Sequence, residues 1–189
     1  MSTTIKMLIT LGIIGIISGG LLSGIADWAS PLIEMHRIEE TKAAIFEVVP
    51  EATDYKLDEK VTFEMFRVMN NEGNQIGYAL PIEGNGFQGK IRLMIGVTND
   101  LKKITGLKIL EQLETPGLGN KIVDAPFTDQ FINLSTIPKV NYVKGITPEN
   151  PNEIQAITGA TISSKSVVKI INDGLAEMRS DIAVGGENE

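Results

Sequence analysis

The chain has 189 residues, 42% of them apolar and 22% charged, which leaves room for one domain of ordinary size plus an appendage. Lys and Arg number 17 against 24 Asp and Glu, and the resulting net charge of -7 offers no basic face for nucleic acid. With no Cys and one His, disulfides, thiolate metal sites, iron–sulfur clusters, cysteine nucleophiles and multi-histidine zinc or haem sites are excluded, so any redox chemistry must come from an organic cofactor.

After a short N-terminus, residues 1–6, no residue from Met7 to Ala26 is charged. A helix of this length, rising about 1.5 Å per residue, spans the roughly 30 Å hydrocarbon core of a bilayer. Residues 7–26 therefore read as a transmembrane helix. Lys6 and the free amine precede it, Asp27 and Glu34 follow, and Trp28 stands at the expected interface. That asymmetry predicts a cytoplasmic N-terminus and an extracytoplasmic main domain. A cleaved signal peptide is the alternative, but its apolar core is normally shorter and Ala26-Asp27-Trp28 makes a poor cleavage site. Gly15 and Gly19 are four apart, as are Gly20 and Gly24, a spacing that suits contact with other membrane helices.

Residues 27–60 read as a stalk and lead-in. Within them a helix is expected over 30–48, with Pro31 in its first turn and Pro50 past its end. His36 has no neighbouring ligand and reads as a solvated position on that helix. Four strand-like runs follow: Val61–Met69, Gln75–Pro81, Lys90–Thr98 and Ile104–Leu113. Ile91, Leu93, Ile95 and Val97 alternate as in a half-buried strand, and the turn at Asn99-Asp100 makes the last two runs an antiparallel hairpin. A short helical stretch is expected near Phe127–Phe131, and short strands at Tyr142–Val143 and Ile154–Ile157. A final helix over Ser164–Met178 carries Val167, Val168, Ile171, Leu175 and Met178 on one face. The expected fold is α+β, a twisted and largely antiparallel sheet with flanking helices over residues 61–180, preceded by the membrane helix and followed by a polar tail, 181–189.

Gly84-Asn-Gly86-Phe-Gln-Gly89 matches the dinucleotide fingerprint G-x-G-x-x-G. The mechanism of that motif requires a helix directly after it, to meet the pyrophosphate. Here an alternating strand follows, so the match reads as a glycine-rich loop between strands.

The most informative stretch is Ile157-Thr-Gly-Ala-Thr-Ile-Ser-Ser-Lys165, where the hydroxyls of Thr158, Thr161, Ser163 and Ser164 cluster at a strand-to-helix junction. Gly159 and Ala160 are small enough for a bulky group to approach. A helix start offers unpaired N–H groups and the positive end of a dipole, and Lys165 adds charge, which together favour a phosphate. The plainer reading is capping, because Thr and Ser routinely begin helices. Capping accounts for one hydroxyl; it does not account for the small pair ahead of it.

Thr158-Gly-Ala-Thr161-Ile-Ser-Ser with its following helix resembles the acceptor motif of FMN-binding domains. Glu114-Thr-Pro-Gly-Leu-Gly119 resembles the second motif of that family, which lies against the flavin, and the stretch from Gly77 to Arg92 resembles its central hairpin. One membrane span followed by one such domain is similar to the G subunits of Rnf electron-transport complexes and to the C subunits of sodium-pumping NADH:quinone oxidoreductases. The resemblance implies an FMN joined through its phosphate to the hydroxyl of Thr161. It also implies that Thr158, Gly159, Ala160, Ser163, Ser164, Glu114, Thr115, Gly117, Leu118 and Gly119 surround the cofactor. Where many members carry Asp six residues before the acceptor, this chain has Gln155, a change expected to weaken recognition by the flavin transferase.

On this reading Thr115 and the backbone N–H groups from Gly117 to Gly119 hydrogen-bond the ring, and Leu118 packs on its face. Glu114 either disfavours a negatively charged reduced flavin or holds the loop. No general acid or base is expected. The implied role is a one-electron relay in a membrane complex that exchanges electrons between ferredoxin and NAD while moving Na+ or H+. Its partners would be the other subunits, a maturing flavin transferase and membrane lipid, with no nucleic acid. The competing readings are a non-redox membrane-anchored binding or assembly module and a stand-alone flavin reductase, the second disfavoured by the lack of acid–base pairs.

Overall fold

The computed structural model describes residues 2–58 and 63–185, with side chains as far as Ile182. The chain divides into two units, residues 1–40 and 41–189. The first unit is helical from Thr3 onward. It forms most of α1, Thr3–Val48, and its apolar side chains from Met7 to Ile25 stand exposed. Among the described residues this is one helix long and apolar enough to cross a membrane. Pro31, expected to open a second helix, instead lies inside α1. Proline removes one intrahelical hydrogen bond and crowds the carbonyl four residues back, at a cost of about 3 kcal/mol in a helix interior. Ser30 Oγ donates to the Ala26 carbonyl at 2.7 Å just ahead of it.

The second unit is built on a five-stranded antiparallel sheet of β1 (Asp54–Leu57), β2 (Phe66–Met69), β3 (Gln75–Asn85), β4 (Lys90–Thr98) and β5 (Ile104–Gln112), in the order β1-β2-β3-β4-β5. The expected hairpin of the last two runs is present, with Gly96 opposite Gly106. The strand expected from Val61 begins at Phe66; its first two residues lie outside the described residues. β1 has no counterpart among the expected strands. It falls in the stretch read as stalk, pairs with β2, and is too short and polar to show alternation. Then come a 3-10 turn, Gly119–Val123, the short helix α2, Ala125–Thr128, and a second 3-10 turn, Asp129–Phe131. β6 (Asn141–Val143) and β7 (Glu153–Gln155) pair in parallel, and α3 runs Thr161–Gly185.

The sheet separates two apolar clusters. Leu80, Ile91, Leu93, Ile95 and Val97 face α3, whose Val167, Val168, Ile171, Leu175 and Met178 are all buried. The odd-numbered residues of β4 thus fill this layer, as the alternation predicts. On the opposite face Phe66, Val68, Ala79 and Met94 meet Ala44, Ile45, Val48 and Val49 at the end of α1. The last turns of α1 therefore belong to the folded body and not to a stalk. Their seat is the Gly96–Gly106 pair: a Cβ at Gly96 would stand 2.3 Å from the Val48 carbonyl oxygen, and one at Gly106 2.9 Å from Val48 Cα. Thr105 Oγ1 donates to that same carbonyl at 2.6 Å and satisfies one of the orphan acceptors of the helix end.

Candidate functional site

The acceptor stretch leaves β7 and turns once before α3 begins. Ala160 N–H donates to the Ile157 carbonyl at 3.0 Å, and Gly159 between them has φ of +85°. This is the pattern of a type II turn, whose third position needs the left-handed backbone that glycine adopts freely. Gly159 is thus required by conformation as well as by size. Ala160 is buried at 6% exposure, and Ser164 N–H donates to its carbonyl at 3.1 Å, making Ala160 the residue that begins the α3 hydrogen bonding.

The four hydroxyls divide into two spent and two free. Ser164 Oγ accepts from Ile157 N–H at 3.0 Å and donates to the Ala160 carbonyl at 3.1 Å. Ser163 Oγ donates to the Glu114 carboxylate. Both serines are buried, so their oxygens serve the fold. The hydroxyls of Thr158 and Thr161 make no hydrogen bond to the described residues; Thr158 is exposed and Thr161 is half-buried. Thr161 is the first residue of α3, beside the unpaired N–H groups of the first helical turn. Simple capping by Thr161 would require its oxygen to accept one of those N–H groups, and it does not. Lys165 is exposed one turn further on.

A second turn of the same kind faces the first. Leu118 N–H donates to the Thr115 carbonyl at 3.2 Å, with Pro116 and Gly117 between them and Gly117 at φ +77°. Leu118 is 48% exposed, and its Cδ2 lies 3.5 Å from where a Cβ on Gly159 would sit. The two turns therefore meet at Leu118 and Gly159. The Leu118 amide is taken, while those of Thr115, Gly117 and Gly119 in this loop lack a partner among the described residues. Thr115 Oγ1 is bonded to Gln88 Oε1 at 3.2 Å.

Glu114 is 4% exposed and holds loops together, the second of the two roles considered for it. Its Oε1 accepts from Phe87 N–H at 2.7 Å and Gln88 N–H at 3.2 Å, and its Oε2 accepts from Ser163. Phe87 and Gln88, at the tip of the β3–β4 hairpin, escape a reading of the sequence; the only signal for them is the glycine run around them. That run is a tight hairpin, with Gly86 N–H donating to the Gly89 carbonyl at 2.7 Å, and no helix follows it. Gln155 is exposed, and its backbone is clamped by Gln130: its N–H donates to Gln130 Oε1 at 2.7 Å, and its carbonyl accepts from Gln130 Nε2 at 3.3 Å. A cleft of about 370 Å³ lies beside Gln155 and Thr158, with Lys121, Asp124 and Phe127 on its other wall.

The residues present fit a flavin phosphate. They supply a free hydroxyl at a helix start, unpaired loop amides and an exposed apolar side chain over the turn. Residues 86–176, which hold every one of these groups, match the family model of the FMN-binding domain. The G subunit of the ion-translocating oxidoreductase complex of Methanosarcina acetivorans is 28% identical over 178 residues, 90% of this chain and 92% of that protein. The G subunit of the proton-translocating ferredoxin:NAD(+) oxidoreductase complex of Clostridium ljungdahlii is 30% identical over 163 residues, 86% of this chain and 84% of that protein. Among solved structures, the C subunit of the Na(+)-translocating NADH-quinone reductase of Parabacteroides distasonis aligns with TM-score 0.56 and 27% identity, over 63% of this chain and 62% of that one. The chain belongs to the family of FMN-binding-domain subunits that includes the G subunits of ion-translocating oxidoreductase complexes.

Proposed function

We propose that this protein is a membrane-anchored flavoprotein subunit that relays electrons through an FMN joined by a phosphoester to Thr161, within an ion-translocating ferredoxin:NAD oxidoreductase complex. Family membership supports a flavoprotein electron-transfer subunit of a multi-subunit membrane complex. The observation that supports Thr161 is the division of the hydroxyls, which leaves an uncommitted oxygen at the first residue of α3 while both serines are spent.

When bound, the flavin supplies the electron chemistry; the protein's share is attachment, orientation and electrostatics. Thr161 Oγ1 holds the phosphorus, and the first-turn amides and dipole of α3 favour its negative charge. Leu118 offers an apolar face next to the attachment turn, and the amides of Gly117 and Gly119 are available as donors. A covalent hold suits an extracytoplasmic domain, since a released flavin would be lost there. The apolar part of α1 serves as a single membrane span with the N-terminus cytoplasmic, in contact with lipid and neighbouring subunits. Maturation falls to a flavin transferase. The non-redox alternative takes the whole Thr/Ser cluster as helix capping; Ser163 and Ser164 do serve the fold, and Thr161 makes no capping bond among the described residues.

The test is co-expression of the full chain with a flavin transferase, followed by denaturation. In-gel fluorescence and an added mass of one FMN less one water are expected, both lost in Thr161→Ala. Retention of the label in that variant would move the attachment to Thr158, and absence of label from the unaltered chain would overturn the reading.

A further inference from the structure

Three segments far apart in sequence converge on one buried carboxylate. Glu114 receives the Phe87 and Gln88 amides from the β3–β4 hairpin and the Ser163 hydroxyl from the first turn of α3. No Lys or Arg among the described residues pairs with it, so its burial is compensated by hydrogen bonds alone. The space around it is closed. A Cβ on Gly86 would stand 2.3 Å from Oε1, and one on Gly119 2.7 Å from Oε2. The bond from Thr115 to Gln88 runs alongside and ties the same two loops a second time.

We infer that Glu114 is a positioning residue for the cofactor: its carboxylate fixes the hairpin tip at Phe87 and Gln88 to the first turn of α3, so that the joined loops would hold the flavin ring. This rests on the flavin reading above. A phosphoester at Thr161 pins one end of a long flexible chain and leaves the ring free to swing. The loops must therefore hold it, and Glu114 joins the two that carry large exposed apolar side chains, Phe87 at 60% and Leu118 at 48%. The role lies in accepting hydrogen bonds. Glutamine at this position keeps an oxygen for the two amides and gains an NH2 group that can donate to Ser163 Oγ; alanine offers neither.

The experiment uses the full chain in detergent, made with and without a flavin transferase, as the unaltered protein, Glu114→Gln, Glu114→Ala and Ser163→Ala. Amide hydrogen exchange is read on the flavin-free forms and flavin fluorescence on the labelled ones. For Glu114→Ala, exchange at Phe87 and Gln88 should quicken at least tenfold with Leu93 and Ile95 unchanged, and the labelled fraction should fall at least fivefold. Glu114→Gln should stay within twofold of the unaltered protein on both measures. Unaltered exchange and labelling in Glu114→Ala would overturn the inference, as would Gln behaving like Ala. Should Glu114→Ala lose protection at Leu93 and Ile95 as well, Ser163→Ala decides: it is expected to give partial loss of label with the core amides intact, and full labelling would overturn the inference. An unlabelled parent chain would instead count against the flavin reading itself, while the exchange result would still stand or fall on its own.

Discussion

The Ile157 amide donates to Ser164 Oγ at 3.0 Å, so a hydroxyl one turn into α3 closes the loop that carries Thr161. Removing it in Ser164→Ala strands a part-buried amide, which costs about 1–3 kcal/mol. The expected outcome is a lower melting temperature and a smaller labelled fraction, with the flavin still at 161. Peptide mass mapping of the labelled variant checks the position.

Gly159 holds φ of +85°. A methyl group there would meet Leu118 at 3.5 Å, an ordinary contact, so the penalty of Gly159→Ala is one of backbone conformation. Left-handed backbone costs an L-residue about 1–2 kcal/mol. Thermal unfolding of the full chain should show that loss, and labelling should fall because the turn no longer presents Thr161 in one geometry.

Thr105→Val keeps the shape and deletes the hydroxyl bonded to the Val48 carbonyl. The unpaired acceptor costs about 1–3 kcal/mol. Faster hydrogen exchange in the last turns of α1, with labelling at Thr161 unaffected, is the expected result.

Gln155→Asp restores the residue expected by family resemblance. The side chain is exposed and Gln130 binds only its backbone, so the fold should be unchanged. Limiting amounts of transferase should label the variant to a higher fraction than the parent in a timed reaction.

Asp100 sits in the β4–β5 turn, where the Thr98 hydroxyl, followed by the Lys102 amide, holds its carboxyl below the usual value. A folded-state pKa that is lowered means stability present above the unfolded value and lost as pH falls through the folded one. Acidification below 3.8 should therefore lower the melting temperature of the parent more steeply than that of Asp100→Asn.

Much of the sheet is legible in the sequence, because Ile91, Leu93, Ile95 and Val97 alternate along β4 and share one face; the burial of the other face, with Met94 against the end of α1, is not. β1 is not, since four largely exposed residues carry no burial signal. Pro31 misleads because the residue suits a helix start, whereas α1 continues through it. At the site, the residue types favour a phosphate, as the proposed reading requires, but the allocation of hydroxyls does not show in the sequence. Whether Ser163 is free depends on Glu114, a partner 49 positions away that only the folded chain brings near.

The loop before α3 is completed entirely from within: Ala160 to Ile157, Ile157 to Ser164, Ser164 to Ala160. Nothing in it waits for an incoming group to arrange it. On the proposed reading, an enzyme that loads the cofactor would meet a finished three-dimensional docking point and not a limp peptide, which would put folding before loading in the order of assembly and make a misfolded chain a poor recipient.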